Sequence, residues 1–387
     1  MASFDELIPK KKYRLYVELG YKPNGKRDRR TKVVKASGPR QAQSLLKDFE
    51  QEVKKTRHLD QTKISFPDFS NRWKKNYAIP ELEPPTAENY TIKLEGTILP
   101  FFEHFKLKEV STFDIIEFFN HERELNRGSL ETKYKILQSI FKHAVQWKII
   151  DKDDNPMSEV KMPSDTKKQK KDFYRKHELP DLMRLLKTLE VRQQHIVKLA
   201  LFGGLRRGEI AGLADDVVDF ENNLISVKRS LQLSKTEGLR LKDTKAEDTR
   251  IVALPKTFMR ELNDYYKERK ALQEEIGDLW KGFKDVKGQE VFLLFANEYG
   301  IPHRPDSITT FWNRFMNRFE GKIRRVRFHD LRHSSATIIL TEGAKKGITM
   351  KTVQKRLGHK DIKTTLNFYA HVAEDQDKEA GDIFEDV

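Results

Sequence analysis

The stretch RFHDLRHSSATIIL, beginning at Arg327, concentrates residue types that chemistry uses. On a helix His329 and Arg332 stand three apart and leave from one face, and His329 and His333 stand four apart. Upstream, GLRRGEIAGL places Arg206 directly after an apolar run and the pair Gly203-Gly204, at the start of a further helix, where neighbouring amides favour an anion. Lys245 lies near the tip of the polar stretch LRLKDTKAED, and RLGHKDIKTTLNFYAHV carries His359 and Tyr369. The chain has no cysteine, so any nucleophile is an oxygen or an amine, and neither a disulfide nor a thiolate metal site can form.

Two arginines, two histidines, a lysine and a tyrosine suit metal-free transfer at a phosphodiester. Two guanidinium forks can hold both non-bridging oxygens and neutralise charge growing on phosphorus. A tyrosine oxygen can attack and keep the phosphoryl group as an ester, splitting one hard step into two. An imidazole can handle the attacking proton, and an ammonium can protonate the leaving oxygen. The ester conserves the energy of the broken bond, which fits the absence of a GxxxxGK[ST] phosphate loop and of any implied cofactor. A rival is a helical zinc site built on His329 and His333 with His359 as third ligand. The zinc-protease version has Glu after its first His, whereas Asp330 stands here, and the expectation is no metal.

These residues need elements to hold them. LISVKRS and TRIVALP read as strands flanking the polar hairpin region that carries Lys245, and two helices are expected between His177 and Phe202, the second apolar enough for a core. Before them, residues 64–162 read as a helical bundle. Phe66, Phe69 and Trp73 fall at helical spacing, Ser111 with Asp114 forms a capping pair, and Ser129 opens a helix whose Leu130, Tyr134, Leu137, Phe141 and Val145 mark one apolar face. Thr86 is expected to start a helix after Pro84 and Pro85 break the chain. Residues 163–173 read as a basic linker, whose Lys167, Lys168, Lys170 and Lys171 can cross a DNA backbone.

The 387 residues suffice for two or three domains, and 74 Lys and Arg against 59 Asp and Glu leave +15, favouring a polyanionic partner. Residues 1–57 hold 16 Lys and Arg against 7 Asp and Glu. They read as two alternating strands around an Asn-Gly turn loaded with bases, then a helix from Pro39 to Lys55, so that Arg27, Arg29, Arg30 and Lys32 can meet phosphates or a strand face can lie in a groove. No run of eighteen apolar residues exists and the N-terminal stretch lacks a signal-peptide pattern, so no membrane partner and a cytoplasmic place are expected. The acidic tail, 374–387, offers Ile383 and Phe384 as apolar anchors.

Taken together, GLRRGEI (204–210), the lysine in DTKAEDTR (243–250), HDLRH (329–333), LGH (357–359) and Tyr369 resemble the tyrosine recombinase, or phage integrase, family in order and approximate spacing. The resemblance spans nearly the whole chain. It implies a multidomain, mainly α fold with small β-sheets: a strand-rich arm-binding domain (1–57), an all-helical core-binding domain (64–162) and a mixed α+β catalytic domain (174–373). By position, it implies that Arg206 and Arg332 bind the scissile phosphate, Tyr369 forms a 3′-phosphotyrosyl link, Lys245 is the general acid with Lys242 as its possible substitute, His329 assists proton transfer and His359 donates a hydrogen bond to the phosphate. Glu209 would buttress the site, and His333 would be structural. The function implied is a site-specific recombinase that integrates and excises a mobile element of a phage or conjugative transposon. It would work as a homotetramer on the core and arm sites of duplex DNA in a bacterial host, nucleoid-associated, with an excisionase and a host DNA-bending protein as partners and its tail docked on a neighbouring protomer. Type IB topoisomerase-like relaxation, or a non-catalytic DNA-binding regulator, are the competing readings.

Overall fold

The computed structural model describes residues 2–9, 11–21, 27–62, 64–125, 128–163, 172–244, 249–344, 346–362 and 366, in two compact units, Met1–Lys167 and Lys168–Val387. In the first unit β1 (Ala2–Ile8), β2 (Lys12–Tyr21) and β3 (Arg27–Lys35) form an antiparallel sheet in the order β1-β2-β3, followed by α1 (Pro39–Thr62). The sequence led us to expect two strands and a basic turn. The basic stretch RDRR instead lies within β3, where cross-strand pairing of Arg30 with Val17 and Arg29 with Glu18 continues the ladder, and β1 adds a third strand. Tyr13, Leu15 and Val17 alternate onto one buried face, and the latter two meet Leu46, Phe49 and Val53 of α1.

The helical part contains α2 (Phe66–Trp73), α3 (Ile79–Glu81), α4 (Pro84–Lys93), α5 (Leu99–Phe101), α6 (Thr112–Glu124) and α7 (Leu130–Gln146). Ser111 and Asp114 cap α6 reciprocally, and Ser129 caps α7 by accepting from the Thr132 amide at 3.3 Å. The α4 helix starts at Pro84, not Thr86, because proline needs no amide partner in a first turn. Wide π turns over Lys74–Ala78 and Leu94–Ile98 precede Pro80 and Pro100. In each, the residue before the proline bonds five residues back, Ile79 to Lys74 and Leu99 to Leu94, which accommodates a ring that would crowd a regular turn. Phe66, Phe69, Trp73, Leu94, Ile98, Phe118, Leu137 and Phe141 form the core.

The second unit holds α8 (Leu179–Leu186), α9 (Val191–Phe202), α10 (Arg207–Ala211), β4 (Val218–Asp219), β5 (Leu224–Val227), β6 (Arg229–Ser234), β7 (Gly238–Asp243), β8 (Arg250–Ala253), α11 (Lys256–Ile276), β9 (Phe283–Lys284), β10 (Glu290–Val291), α12 (Pro305–Arg318), α13 (Leu331–Ala344) and α14 (Met350–Leu357). One sheet runs β4-β5-β8, while β6 and β7 pair with each other, so LRLKD, expected as part of a polar hairpin region between two strands, is itself a strand. Leu231 and Leu241 face each other across that pair and supply the apolar side that makes it one. The core gathers Leu199, Leu201, Ile210, Ile225, Val252, Leu262, Leu294, Trp312 and Leu331. Among the described residues no helix is long and apolar enough to cross a membrane.

Candidate active site

The centre of the site is the C-terminus of α14. A helix leaves its last carbonyls without intrahelical partners, at the negative end of its dipole. Here three consecutive carbonyls accept from three arginines: Arg356 O from Arg250 Nε at 2.9 Å, Leu357 O from Arg332 Nη2, and Gly358 O from Arg206 Nη2 at 2.8 Å. The helix closes with Gly358 at φ +65, and the His359 amide returns to Gln354 O at 3.1 Å. That closure fixes where the backbone of His359 leaves the helix.

Arg206 comes from the turn after α9. Gly204 takes φ +62, and a Cβ there would lie 2.5 Å from the Leu357 Cδ2, so this turn sits directly against α14. Arg206 heads α10 through Glu209, whose Oε2 accepts from the Arg206 amide at 2.7 Å and whose Oε1 accepts from Arg206 Nη1 at 2.8 Å. Arg332 lies in the first turn of α13, almost fully buried, with its other Nη donating to Gly204 O. Burial and then the charges of Arg206 and Arg250 press its pKa down to about 9, against the pull of Glu209.

His329 precedes α13 in a short 3-10 turn, Phe328–Asp330, so the expected single helix through His329 and Arg332 is a junction of two helical forms. Its ring stands edge-on to His333 at 5.2 Å between centroids. His333 Nε2 lies 3.3 Å from Asp330 Oδ1, and Asp330 also accepts from Arg327 Nε at 2.6 Å. Burial, then the guanidinium charges, hold His329 below the usual imidazole range and His359 at about 4. At neutral pH both imidazoles are therefore uncharged, able to accept one hydrogen bond and donate another. Among the described residues no group of three or more His, Cys, Asp or Glu is placed to hold a metal ion.

The structure thus brings Arg206, Glu209, His329, Arg332 and His359 together, with His333 beside His329. Lys242 lies on β7 opposite Ser230. Lys245, Tyr369, Lys167, Lys168, Lys170, Lys171 and the tail lie outside the described residues. In the first unit Arg27 and Arg29 alternate onto the sheet's outer face with Lys12, Arg14 and Lys35, where Arg29 rests over the Tyr16 ring at 4.5 Å. Arg30 and Lys32 alternate to the α1 side, and Lys32 pairs with Glu52 at 2.7 Å.

Sequence reasoning missed Arg250 and Arg356. Arg250 Nη1 and Nη2 grip Glu209 at 2.9 and 2.6 Å, and Arg356 Nη2 donates to Phe202 O and Ala253 O at 2.9 and 2.8 Å. A signal existed for the first, since in TRIVALP the strand alternation that buries Val252 also buries Arg250 and leaves Ile251 exposed.

Residues 172–376 match the family model described as "Phage integrase family", and residues 65–122 match "Phage integrase, N-terminal SAM-like domain". The chain belongs to the phage integrase family. It is a tyrosine recombinase of the integrase type, an enzyme that cleaves and rejoins DNA, and it is 25% identical over 377 residues to the ICEBs1 integrase of Bacillus subtilis (strain 168), covering 97% of each chain. Over 188 residues, it is 28% identical to the integrase of Staphylococcus phage L54a, covering 47% of this chain and 49% of that one. Its fold is that of the Tn1549 transposon integrase in complex with transposon right end DNA, with TM-score 0.65, 20% identity and coverage of 82% of this chain and 98% of that one. A lambda integrase dimer bound to a core site aligns over 94% and 95% of the two chains at TM-score 0.54 and 15% identity.

Proposed function

We propose that this integrase integrates and excises a mobile element through a 3′-phosphotyrosyl intermediate, with Tyr369 as nucleophile. The observation that carries the reading is a surplus of positive charge among the described residues: the buried Arg250 and Arg332 and the half-exposed Arg206 gather near one carboxylate, Glu209, and Arg332 is held by carbonyls alone. Such a surplus in a poorly solvated place is matched by an anion, and a phosphodiester fits two guanidinium forks. In the step proposed, the Tyr369 oxygen bonds to phosphorus as the bond from phosphorus to the 5′ oxygen breaks. The phenolic proton passes to His329, directly or through water, and Lys245, with Lys242 as its possible substitute, protonates the leaving oxygen. His359 donates a hydrogen bond to the phosphate. Bond energy is conserved, so rejoining needs no ATP, and the guanidinium forks neutralise the charge that a metal would otherwise take.

The same reading extends to its surroundings. Residues 1–57 bind arm sites through the outer sheet face with Arg14 and Arg29, the helical segment 64–162 and the catalytic segment 174–373 bind core sites, and linker 163–173 crosses the backbone between them. Four copies act on two DNA partners in the cytoplasm of a bacterial host, on its nucleoid, with an excisionase and a host DNA-bending protein setting direction and the acidic tail docked on the next protomer. Two readouts test this. Tyr369→Phe should bind core DNA normally and form no covalent adduct on a suicide substrate, whereas the wild type should form the adduct equally with and without chelator. Arg14→Ala with Arg29→Ala should weaken arm-site binding and lower its salt slope by about 2. An adduct from the Phe variant would end the proposal, and relaxation without joining of two sites would turn it toward a topoisomerase.

A further inference from the structure

Glu209 has about four acceptor positions on its two carboxylate oxygens, and all four are taken. Oε1 accepts from Arg206 Nη1 at 2.8 Å and Arg250 Nη1 at 2.9 Å, while Oε2 accepts from the Arg206 amide at 2.7 Å and Arg250 Nη2 at 2.6 Å. The two arginines differ in access. Arg250 has 3% of its side chain exposed, Arg206 43%. The buried guanidinium therefore holds the carboxylate with its whole fork, and the accessible one gives it a single guanidinium bond.

We propose that Arg250 is a positioning residue that keeps Arg206 available to the substrate. By filling two acceptor positions of Glu209, Arg250 prevents the Arg206 fork from closing on that carboxylate in a two-bond ion pair. It also cancels a negative charge that would otherwise stand behind the phosphodiester. Without Arg250, the buried carboxylate draws the nearest mobile donor, and that donor is Arg206. A second role follows from place: Arg250 Nε holds Arg356 O, and a Cβ on Gly358 would lie 3.1 Å from the Arg250 Cδ, so the turn leading to His359 rests on this side chain. Arg250 also opens β8, directly after the segment containing Lys245, so one guanidinium ties the chain beyond that lysine to both the Arg206 turn and the His359 turn.

The inference rests on the role assigned above to Arg206, and the experiment separates the two. Adduct formation on a suicide substrate is followed at saturating full-length protein, with core-DNA affinity and melting measured alongside. Arg250→Met should slow the adduct by about 100-fold with affinity near wild type. Adding Glu209→Gln to it should recover about 10-fold or more, because a neutral amide no longer holds the Arg206 fork. A residue that only supported the fold would give a double variant no faster than the single one, and that result, in a protein that still melts cooperatively, overturns the proposal. Arg250→Lys keeps the charge without the fork and should fall between wild type and Arg250→Met. If the Met variant does not fold, Lys at wild-type rate overturns the idea equally. Arg206→Ala at wild-type rate would remove the reading underneath, whereas slow Arg206→Ala beside fast Arg250 variants removes this inference alone.

Discussion

In the helical part of the first unit, Lys133 of α7 is fully buried and pairs with Glu122 of α6, itself 2% exposed. In the second unit, Arg332 is as deeply buried, yet its guanidinium meets two carbonyls and stands near two further arginines. One charge is balanced within the fold. The other belongs, among the described residues, to a cluster of three arginines gathered near one carboxylate, Glu209. Both cost desolvation; the pair recovers part of it internally, and the function proposed above gives the arginine cluster a phosphodiester to do the same.

Arg332→Met breaks this comparison most sharply. Adduct formation should fall by about 100- to 1,000-fold, while the melting temperature stays level or rises because like-charge repulsion is relieved. A clear loss of melting temperature would mean that Arg332 is balanced in a way these contacts do not account for. Lys133→Met should do the reverse, leaving Glu122 buried beside an apolar chain at a cost of ~3–5 kcal/mol, with the rate per folded molecule preserved. Changing Lys133→Met and Glu122→Leu together should restore most of that stability in denaturant unfolding, and failure to do so would make the pair irreplaceable for packing.

His195 in α9 sharpens the contrast by a third route, an ionisable group buried neutral. It lies between Phe258 at 5.7 Å and Tyr265 at 5.2 Å, and burial, then the charge of Lys198, takes its pKa to about 4. Below about pH 6.5 the unfolded chain binds a proton here that the folded chain refuses until about pH 4. Stability contributed by this residue is therefore intact above that window and falls as pH drops through it, by at most ~1.4 kcal/mol per unit. His195→Leu should flatten the stability profile between pH 6.5 and 4 by that slope, and an unchanged profile would place the titration elsewhere.

Much of the local structure was legible. The Ser111 and Ser129 caps, the apolar face of α7 and the Gly203-Gly204 turn before Arg206 depend on neighbours within a few residues. β1, β7 and the start of β3 were not, because ASFDELI, GLRLKD and RDRR are polar enough to pass for loops until a partner strand supplies their hydrogen bonds. At the site the residue types Arg206, His329, Arg332 and His359 stood out by spacing and by the family motif. Arg250 and Arg356 did not, since an arginine in a strand or a helix usually reaches solvent.

By itself, the sequence determined what kinds of groups were at hand: a cationic chain without thiols, two forks, two imidazoles and a phenol in a recognisable order. Only the tertiary structure decided that carbonyls 356, 357 and 358 would draw three arginines from positions 206, 250 and 332 to one helix end. The reason is physical. Unpaired carbonyls attract whichever donors the packing brings near, and Arg206 and Arg250 lie more than a hundred positions from the carbonyls they meet.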